Sequence, residues 1–191
     1  MRKAYLIHGW EGYPEEGWLP WLRDKLIQEG FQVVVPAMPD SDKPTQETWL
    51  PFLQNLLKEV DSNTYFVSHS LGCVTVLRFI ESLAEGQKIG GAVLVGGFGH
   101  NLAYEGYKGE LSSFFKKEID WNRIKNHCSK FVAIHSDNDP FVPLKHNQLF
   151  VEKLGAESII EHNKLHFSGD DGINELPSAL EAILRVSNQK I

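Results

Sequence analysis

Six short runs of apolar, mostly β-branched residues recur along the chain, and they constrain its fold more than any other feature. Each run is nearly continuous and is bounded by Gly, Pro or polar residues. Such runs are typical of strands that are buried on both faces of a parallel sheet, because half-exposed strands alternate apolar with polar residues. The predicted strands are 4–7, 33–35, 65–67, 92–95, 131–134 and 158–160.

Longer segments with helical spacing of apolar residues lie between these strands. Their apolar residues recur at intervals of three and four, which places them on one face of a helix. Strands that alternate with helices predict an α/β fold, with about six mostly parallel strands, right-handed crossovers and helices on both faces of the sheet. The helical stripes cover 49–60, 73–83 and 176–184, with a weaker one at 18–26.

The chain has 191 residues, a length that suits one domain burying roughly 70% of its extended-chain surface. The sequence contains no internal repeat, low-complexity tract or linker, so we expect a single domain over residues 1–191 without a large cap domain. One stretch, residues 96–120, is long for a connection and rich in Gly and aromatic residues. It is either a short lid over a site or an excursion without a role.

Composition argues against several classes of protein. Cys73 and Cys128 are too few for a disulfide scaffold, and we expect a reduced, cytoplasmic protein. No apolar run approaches the roughly 20 residues that span a bilayer, and the first strand reaches His8 and Gly9 too soon for a signal peptide. The net charge of −6 argues against nucleic acid, whose binding proteins neutralise phosphates with Lys and Arg.

A serine stands at the predicted turn from the third strand into a helix. Ser70 is flanked two residues on either side by the small residues Ser68 and Gly72. A nucleophile elbow requires this pattern, because a strained serine backbone projects its Oγ from the sheet where strand and helix nearly touch. The alternative is that Ser70 merely caps the helix that begins near Leu71. The small flanking residues and the buried strand favour the nucleophile.

A serine nucleophile needs a histidine base oriented by a carboxylate, and in this type of fold the acid precedes the base in the chain. Asp139 and Asp137 both follow the fifth strand. We favour Asp139, which begins an Asp-x-x-Val-Pro segment and precedes a proline that holds the turn. Ordinary turn chemistry, in which such side chains bond nearby N–H groups, is the alternative.

Two histidines, His162 and His166, follow the last strand and compete for the role of base. We favour His166, which lies further into the loop and next to an aromatic residue. Their His-x-x-x-His spacing would suit zinc on a helix, but the segment reads as a loop and lacks the Glu of the zinc motif. No metal is therefore expected.

The end of the first strand supplies a further element, the oxyanion hole. Gly9 lets the backbone turn close to a substrate, so that the N–H groups of Trp10 and Leu71 can both stabilise an oxyanion. His8 is interpreted as a structural loop residue rather than a catalytic base.

With these residues in place, the chain resembles the YdeN-type small serine hydrolases of the α/β-hydrolase superfamily, the family that includes the retinoblastoma-binding serine hydrolase. The Ser-His-Ser-Leu-Gly-Cys segment at 68–73 and the ordered acid and base carry the most specific part of the resemblance, which runs nearly end to end. It implies a compact single-domain α/β-hydrolase fold with Ser70 as nucleophile, Asp139 as acid and His166 as base. In the family a Gly pair usually precedes the histidine, where this chain has Lys164 and Leu165.

Some relatives bind the retinoblastoma protein through a Leu-x-Cys-x-Glu motif. The corresponding segment here, from Leu71 to Thr75, ends in Thr, so no such partner is implied.

The residues and the resemblance together predict a carboxylesterase-like or peptidase-like serine hydrolase. We expect a small acyl substrate (an ester, thioester or amide) cleaved through an acyl-enzyme on Ser70, without metal or organic cofactor. A protein-binding module with little or no catalysis on a hydrolase scaffold is the alternative, and acyl transfer or a lyase reaction by the same residues is a third. The aromatic residues that either line the mouth of the site or pack in the core are Trp10, Tyr13, Trp18, Phe98, Tyr104, Tyr107 and Phe141.

Overall fold

All six predicted strands form and pair in one parallel sheet. The computed structural model describes residues 1–102, 109 and 111–188, and each pair of neighbouring strands in the sheet is parallel. The order across the sheet is β2-β1-β3-β4-β5-β6. The strands are β1 (Lys3–Ile7), β2 (Gln32–Val34), β3 (Thr64–His69), β4 (Gly91–Val95), β5 (Phe131–Ser136) and β6 (Glu157–Glu161).

In the described residues, five α-helices lie between the strands and a sixth follows β6, and the four predicted stripes overlap α1, α2, α3 and α6. The second stripe was predicted to reach residue 60, but α2 ends at Leu56. Val60 packs against the core from the loop after α2, so its helix-like spacing from the earlier apolar residues does not reflect a helix. The helices are α1 (Leu19–Gln28), α2 (Gln46–Leu56), α3 (Leu71–Glu81), α4 (Trp121–His127), α5 (Lys145–Leu154) and α6 (Pro177–Asn188).

The core consists of two layers, one on each face of the sheet. Alternate strand residues contribute to opposite layers: Phe66 and Leu94 lie in one, and Val67 and Val93 in the other. Helices α2, α3, α4 and α5 cover the first layer, and α1 and α6 cover the second. This arrangement confirms the predicted α/β class with helices on both faces.

The chain reverses its direction across the sheet between β1 and β3, since β2 lies on one side of β1 and β3 on the other. In open parallel sheets, the crevice outside the carboxyl ends of the strands at such a switch point is the usual place for a site. Gly9 and Trp10 follow β1, and Ser70 follows β3. The topology therefore places the predicted nucleophile and oxyanion-hole residues at one crevice.

The connection from β4 to β5 contains the predicted lid, residues 96–120. Part of that stretch, 103–108 and 110, lies outside the described residues. A short 3₁₀ helix, Ser112–Phe115, lies in the described part. The guanidinium of Arg78, buried on α3, donates to the carbonyl oxygens of Phe114 and Lys117. No insertion large enough for a cap domain lies between strands in the ranges the structure describes.

Within these same ranges, every helix is too short or too polar to cross a membrane.

Gly72 allows α3 to begin directly against the end of β1. A Cβ at this position would lie 2.5 Å from the carbonyl oxygen of Ile7 and 2.6 Å from that of His8. Both obstructing atoms belong to the backbone of a buried strand end, so neither can move without disturbing the sheet.

Gly72→Ala is therefore expected to lower the free energy of unfolding by about 1–3 kcal/mol, the usual cost of overpacking. Urea denaturation would measure the change as a shift of the midpoint at constant slope. Gly109→Ala is the matched control, because a Cβ there would meet no atom of the described residues within 4 Å. Equal midpoints for the two variants would contradict the prediction.

Candidate active site

Ser70 occupies a sharp turn between β3 and α3. Its backbone has φ 51° and ψ −120°, a left-handed φ that is rare for a residue other than glycine. Although Ser70 holds the N-cap position of α3, its side chain makes no capping hydrogen bond. The helix-cap interpretation of this serine is therefore wrong, and its Oγ instead faces the histidine loop.

The residues around Ser70 are small because three backbone segments meet there. A Cβ on Gly9 would lie 3.0 Å from the Cβ of Ser70. Ser68 is fully buried, and its Oγ lies 3.3 Å from the Sγ of Cys73. The N–H of Ser70 donates to the carbonyl of Val95 at the end of β4 (2.9 Å), which ties the turn to the neighbouring strand.

The structure brings Ser70, Asp139 and His166 together in one chain of hydrogen bonds. Nε2 of His166 lies 2.8 Å from Oγ of Ser70, and Nδ1 lies 2.8 Å from Oδ2 of Asp139. A carboxylate accepts a hydrogen bond, so Nδ1 carries the proton and the lone pair of Nε2 points at the serine hydroxyl. In this tautomer the imidazole can remove a proton from Ser70.

The carboxylate of Asp139 is shielded from water and held on both oxygens. Its side chain is 0% exposed, and that of His166 is 14% exposed. The second oxygen, Oδ1, accepts the N–H groups of Phe141 (2.8 Å) and Val142 (2.9 Å). Oδ1 of Asp139 thus makes the turn hydrogen bonds that the alternative interpretation predicts. Oδ2 instead bonds the imidazole of His166 and orients it.

The competing residues Asp137 and His162 form a second acid–histidine pair beside the first. Nδ1 of His162 lies 2.5 Å from Oδ2 of Asp137, but its side chain is 77% exposed. The neighbouring Asp137 raises the pKa of His162, and the histidine in turn lowers the pKa of Asp137. The pair faces solvent, and the structure records no contact between it and Ser70 among the described hydrogen bonds.

The loop before His166 has an unusual backbone that side chains of the preceding loop support. Asn163 and Leu165 have φ values of 56° and 49°. Ser136 and Asn138 accept the N–H groups of Lys164 (3.0 Å) and Leu165 (2.9 Å) through their side-chain oxygens. Leu165 thus takes a left-handed conformation, which a glycine would adopt more easily, because this hydrogen bond stabilises it.

Two residues that the sequence analysis did not assign hold the backbone of His166 itself. Oδ2 of Asp171 accepts the N–H groups of His166 and Ser168, each at 3.0 Å. Nε2 of His69 donates to the carbonyl of His166 at 2.7 Å. In both cases the partner is a backbone atom of an irregular segment. No sequence motif indicates a hydrogen bond of this kind.

A cleft of about 820 Å³ opens above Ser70. Trp10 and Leu71, the predicted oxyanion-hole residues, both line it. So do Tyr13, Phe98 and Phe141 among the aromatic candidates. Trp18 is instead fully buried and donates from its indole nitrogen to the carbonyl of Phe167 (3.0 Å), and Tyr104 and Tyr107 lie outside the described residues.

The remaining histidines near the strand ends have structural partners. Nε2 of His8 accepts the N–H of Met38 (3.0 Å), consistent with the structural role predicted for it. Nε2 of His135 donates to the carbonyl of Gly97 (2.7 Å). In the part of the chain that the structure describes, no three His, Cys, Asp or Glu side chains are grouped as a metal site.

Comparison with known proteins identifies relatives over nearly the whole chain. The sequence profile of the serine hydrolase family matches residues 4–185. YdeN of Bacillus subtilis (strain 168) is 30% identical over 182 residues, covering 95% of this chain and 94% of that protein. Its name describes it as a hydrolase. The serine hydrolase RBBP9 of Rattus norvegicus is 29% identical over 185 residues, covering 95% of each chain.

Among solved structures, the crystal structure of the ydeN gene product superimposes with a TM-score of 0.92 at 29% identity. The alignment covers 99% of this chain and 100% of that one.

Four buried histidines near the sheet make stability sensitive to acid. Burial penalises the charged imidazole and lowers the pKa of each, to about 3 for His69 and about 4 for His146. The other two are His8 and His135. Below the ordinary histidine pKa of about 6.5 the unfolded chain takes up protons that the folded chain does not, so acidification favours unfolding.

Between pH 6.5 and 5.5 we expect the free energy of unfolding to fall by about 1 kcal/mol for each of His69 and His146. Urea denaturation at both pH values would measure this loss. His146→Gln, in which the amide oxygen can accept the N–H of Gly99 as Nδ1 does now, should make this loss smaller by about 1 kcal/mol. A variant with the same pH dependence as the wild type would refute the assignment.

Proposed function

The chain belongs to the serine hydrolase family, and from that membership we propose that it cleaves a small ester, thioester or amide through an acyl-enzyme formed on Ser70. The observation that carries the proposal is the double contact of His166. Its Nε2 lies 2.8 Å from the serine Oγ while its Nδ1 is held by the buried carboxylate of Asp139.

In the first step, Oγ of Ser70 attacks the carbonyl carbon of the substrate and Nε2 of His166 takes the hydroxyl proton. Asp139 remains ionised and stabilises the imidazolium that results. The proton then passes from His166 to the leaving group as its bond to the acyl carbon breaks. Water next attacks the acyl carbon, His166 takes a proton from that water, and the proton returns to Oγ as the acid product leaves.

The negative charge that develops on the carbonyl oxygen needs donors, and we assign this role to the N–H groups of Trp10 and Leu71. Leu71 is the first residue of α3, so its N–H has no acceptor within the helix. The eleven-residue helix also directs the positive end of its dipole toward this point. Both residues line the cleft above Ser70.

The cleft supports a small acyl substrate. Its volume, about 820 Å³, lies within the roughly 300–1,000 Å³ that is usual for small-molecule sites. Apolar side chains, including Phe98, Phe141 and Val142, line part of the cleft and would contact the acyl group. Glu11, Glu15, Glu16 and Asp170 also line it, and such carboxylates disfavour a nucleic-acid partner.

The reaction as written requires neither a metal nor an organic cofactor, because the serine, the histidine and two N–H groups perform each step. A binding module without catalysis would not need the hydrogen bonds that join Ser70, His166 and Asp139, so these bonds favour catalysis over that alternative.

We also propose that residues 1–191 form a single domain, that residues 96–120 act as a short lid and that the protein is cytoplasmic. The two continuous core layers support a single domain. Phe98, Leu102 and Leu111 belong to this stretch and line the cleft, which supports the proposal of a lid. Cys73 and Cys128 are free and buried, as expected in a reducing compartment.

Ser70→Ala removes the nucleophile and should abolish covalent labelling by a fluorophosphonate probe. Hydrolysis of p-nitrophenyl acetate should fall by a factor on the order of 10⁶ in kcat if chemistry limits the rate. Circular dichroism and urea denaturation would establish that the variant is folded. A folded wild type that the probe does not label, or equal esterase rates for both proteins, would contradict the proposal and favour the binding module.

The two acid–histidine pairs provide a matched test of the acid. Asp139→Asn should lower kcat on the order of 10⁴-fold, because an amide cannot hold the imidazole in the tautomer that leaves Nε2 unprotonated. Asp137→Asn, which alters the exposed pair, should leave kcat within a few-fold of the wild type. Steady-state esterase kinetics compares the two, and similar losses in both variants would reject Asp139 as the specific acid.

A further inference from the structure

His69 is the last residue of β3 and directly precedes Ser70. Only 5% of it is exposed. Its ring centroid is 4.9 Å from that of His166, and on another side it contacts Trp18 edge-on at 6.1 Å. The mechanism proposed above does not use this side chain, although it touches the residue assigned as base.

His69 makes one strong, directional contact. Its Nε2–H donates to the backbone carbonyl of His166 at 2.7 Å, while Asp171 accepts the N–H of the same residue at 3.0 Å. The flanking residues Leu165 and Phe167 both have left-handed φ values, 49° and 60°. Because His166 lies outside any helix or strand, side chains rather than a regular backbone ladder hold its main chain.

The charge state of His69 suits this position. Burial, together with the nearby His166, lowers its pKa to about 3, although Asp139 and Asp171 act in the opposite direction. His69 therefore stays neutral when His166 becomes an imidazolium during the reaction. A cationic ring at 4.9 Å would instead repel that imidazolium.

We infer that His69 is a positioning residue: the hydrogen bond from its Nε2–H to the carbonyl of His166 holds the imidazole between Ser70 and Asp139. The inference rests on the proposed function, in which His166 is the base. Displacement of a reacting group by about 1 Å can cost 10²-fold in rate, so loss of this bond should act on kcat.

The chain offers a matched control in His127, at the end of α4. It is also 5% exposed, and its Nδ1 donates to a backbone carbonyl, that of Gln87, at 2.7 Å. The carbonyl lies in the loop that leads into the amino end of β4, whereas the site lies at the carboxyl ends of the strands. The bond made by His127 is thus similar in kind but remote from the chemistry.

The test compares His69→Met with His69→Gln in the full chain. The two side chains are similar in size, but only Gln retains an N–H donor. With p-nitrophenyl acetate, His69→Met should lose about 10- to 100-fold in kcat with little change in KM, and His69→Gln should recover most of the loss. His127→Met should keep the kcat of the wild type even if it is less stable.

Urea denaturation of the same variants separates positioning from loss of stability. The loss of kcat should follow the loss of the N–H donor at residue 69 and not the shift of the midpoint, so that His127→Met can lose stability without losing kcat. His69→Phe, which keeps a ring but has no donor, should behave as His69→Met does.

Equal kinetics for His69→Met and His69→Gln, or an equal loss in His127→Met, would overturn the inference. Failure of both donorless variants to fold while His127→Met folds would also overturn it, because the role would then be structural. If Ser70→Ala shows that the wild type is not a serine hydrolase, the proposed function itself fails. If the wild type is labelled and only the His69 comparison fails, the proposed function stands without this inference.

Discussion

The geometry of the site depends on the hydrogen bonds between two loops at the edge of the sheet. Side chains of the four consecutive residues 136–139 bond to five consecutive residues, 162–166. The first three support the backbone up to Leu165, and the last, Asp139, receives the imidazole of His166. Because β5 and β6 are adjacent and parallel, both loops leave the same edge of the sheet and meet there. The histidine thus reaches the serine through a loop that the acid loop has shaped.

The site also requires close contact between backbone segments around Ser70, and this contact places Ser70 in an unfavourable backbone conformation. Ser70 has an unfavourable φ of 51°, and such conformations persist only where the surroundings over-determine them. Here the surroundings are a buried β3, the carbonyl of Val95 and the close approach of Gly72 to β1. The strain at the serine is supported by the same packing that builds the centre of the sheet.

Burial, more than residue type, distinguishes the two acid–histidine pairs. Asp137 with His162 and Asp139 with His166 use the same chemical groups at similar distances. Water screens the outer pair, so its interaction is weak. The inner pair is shielded and hydrogen-bonded on both sides, where electrostatic stabilisation of a developing charge is strongest. The neutral His69 beside it adds a donor without adding a competing charge.

The sequence by itself determined the α/β class, the six strands, the elbow at Ser70 and the order of acid and base, because periodicity and turn chemistry are local properties. It favoured Asp139 and His166 over Asp137 and His162 but did not exclude the second pair, since both pairs lie in the same two loops. It did not indicate the hydrogen bonds made by His69, Asp171 and Arg78, because their partners are backbone atoms without a residue signature. Only the tertiary structure shows which of these side chains are buried together and which backbone atoms they bond, because burial and the spacing of neighbouring strands arise when distant segments pack together.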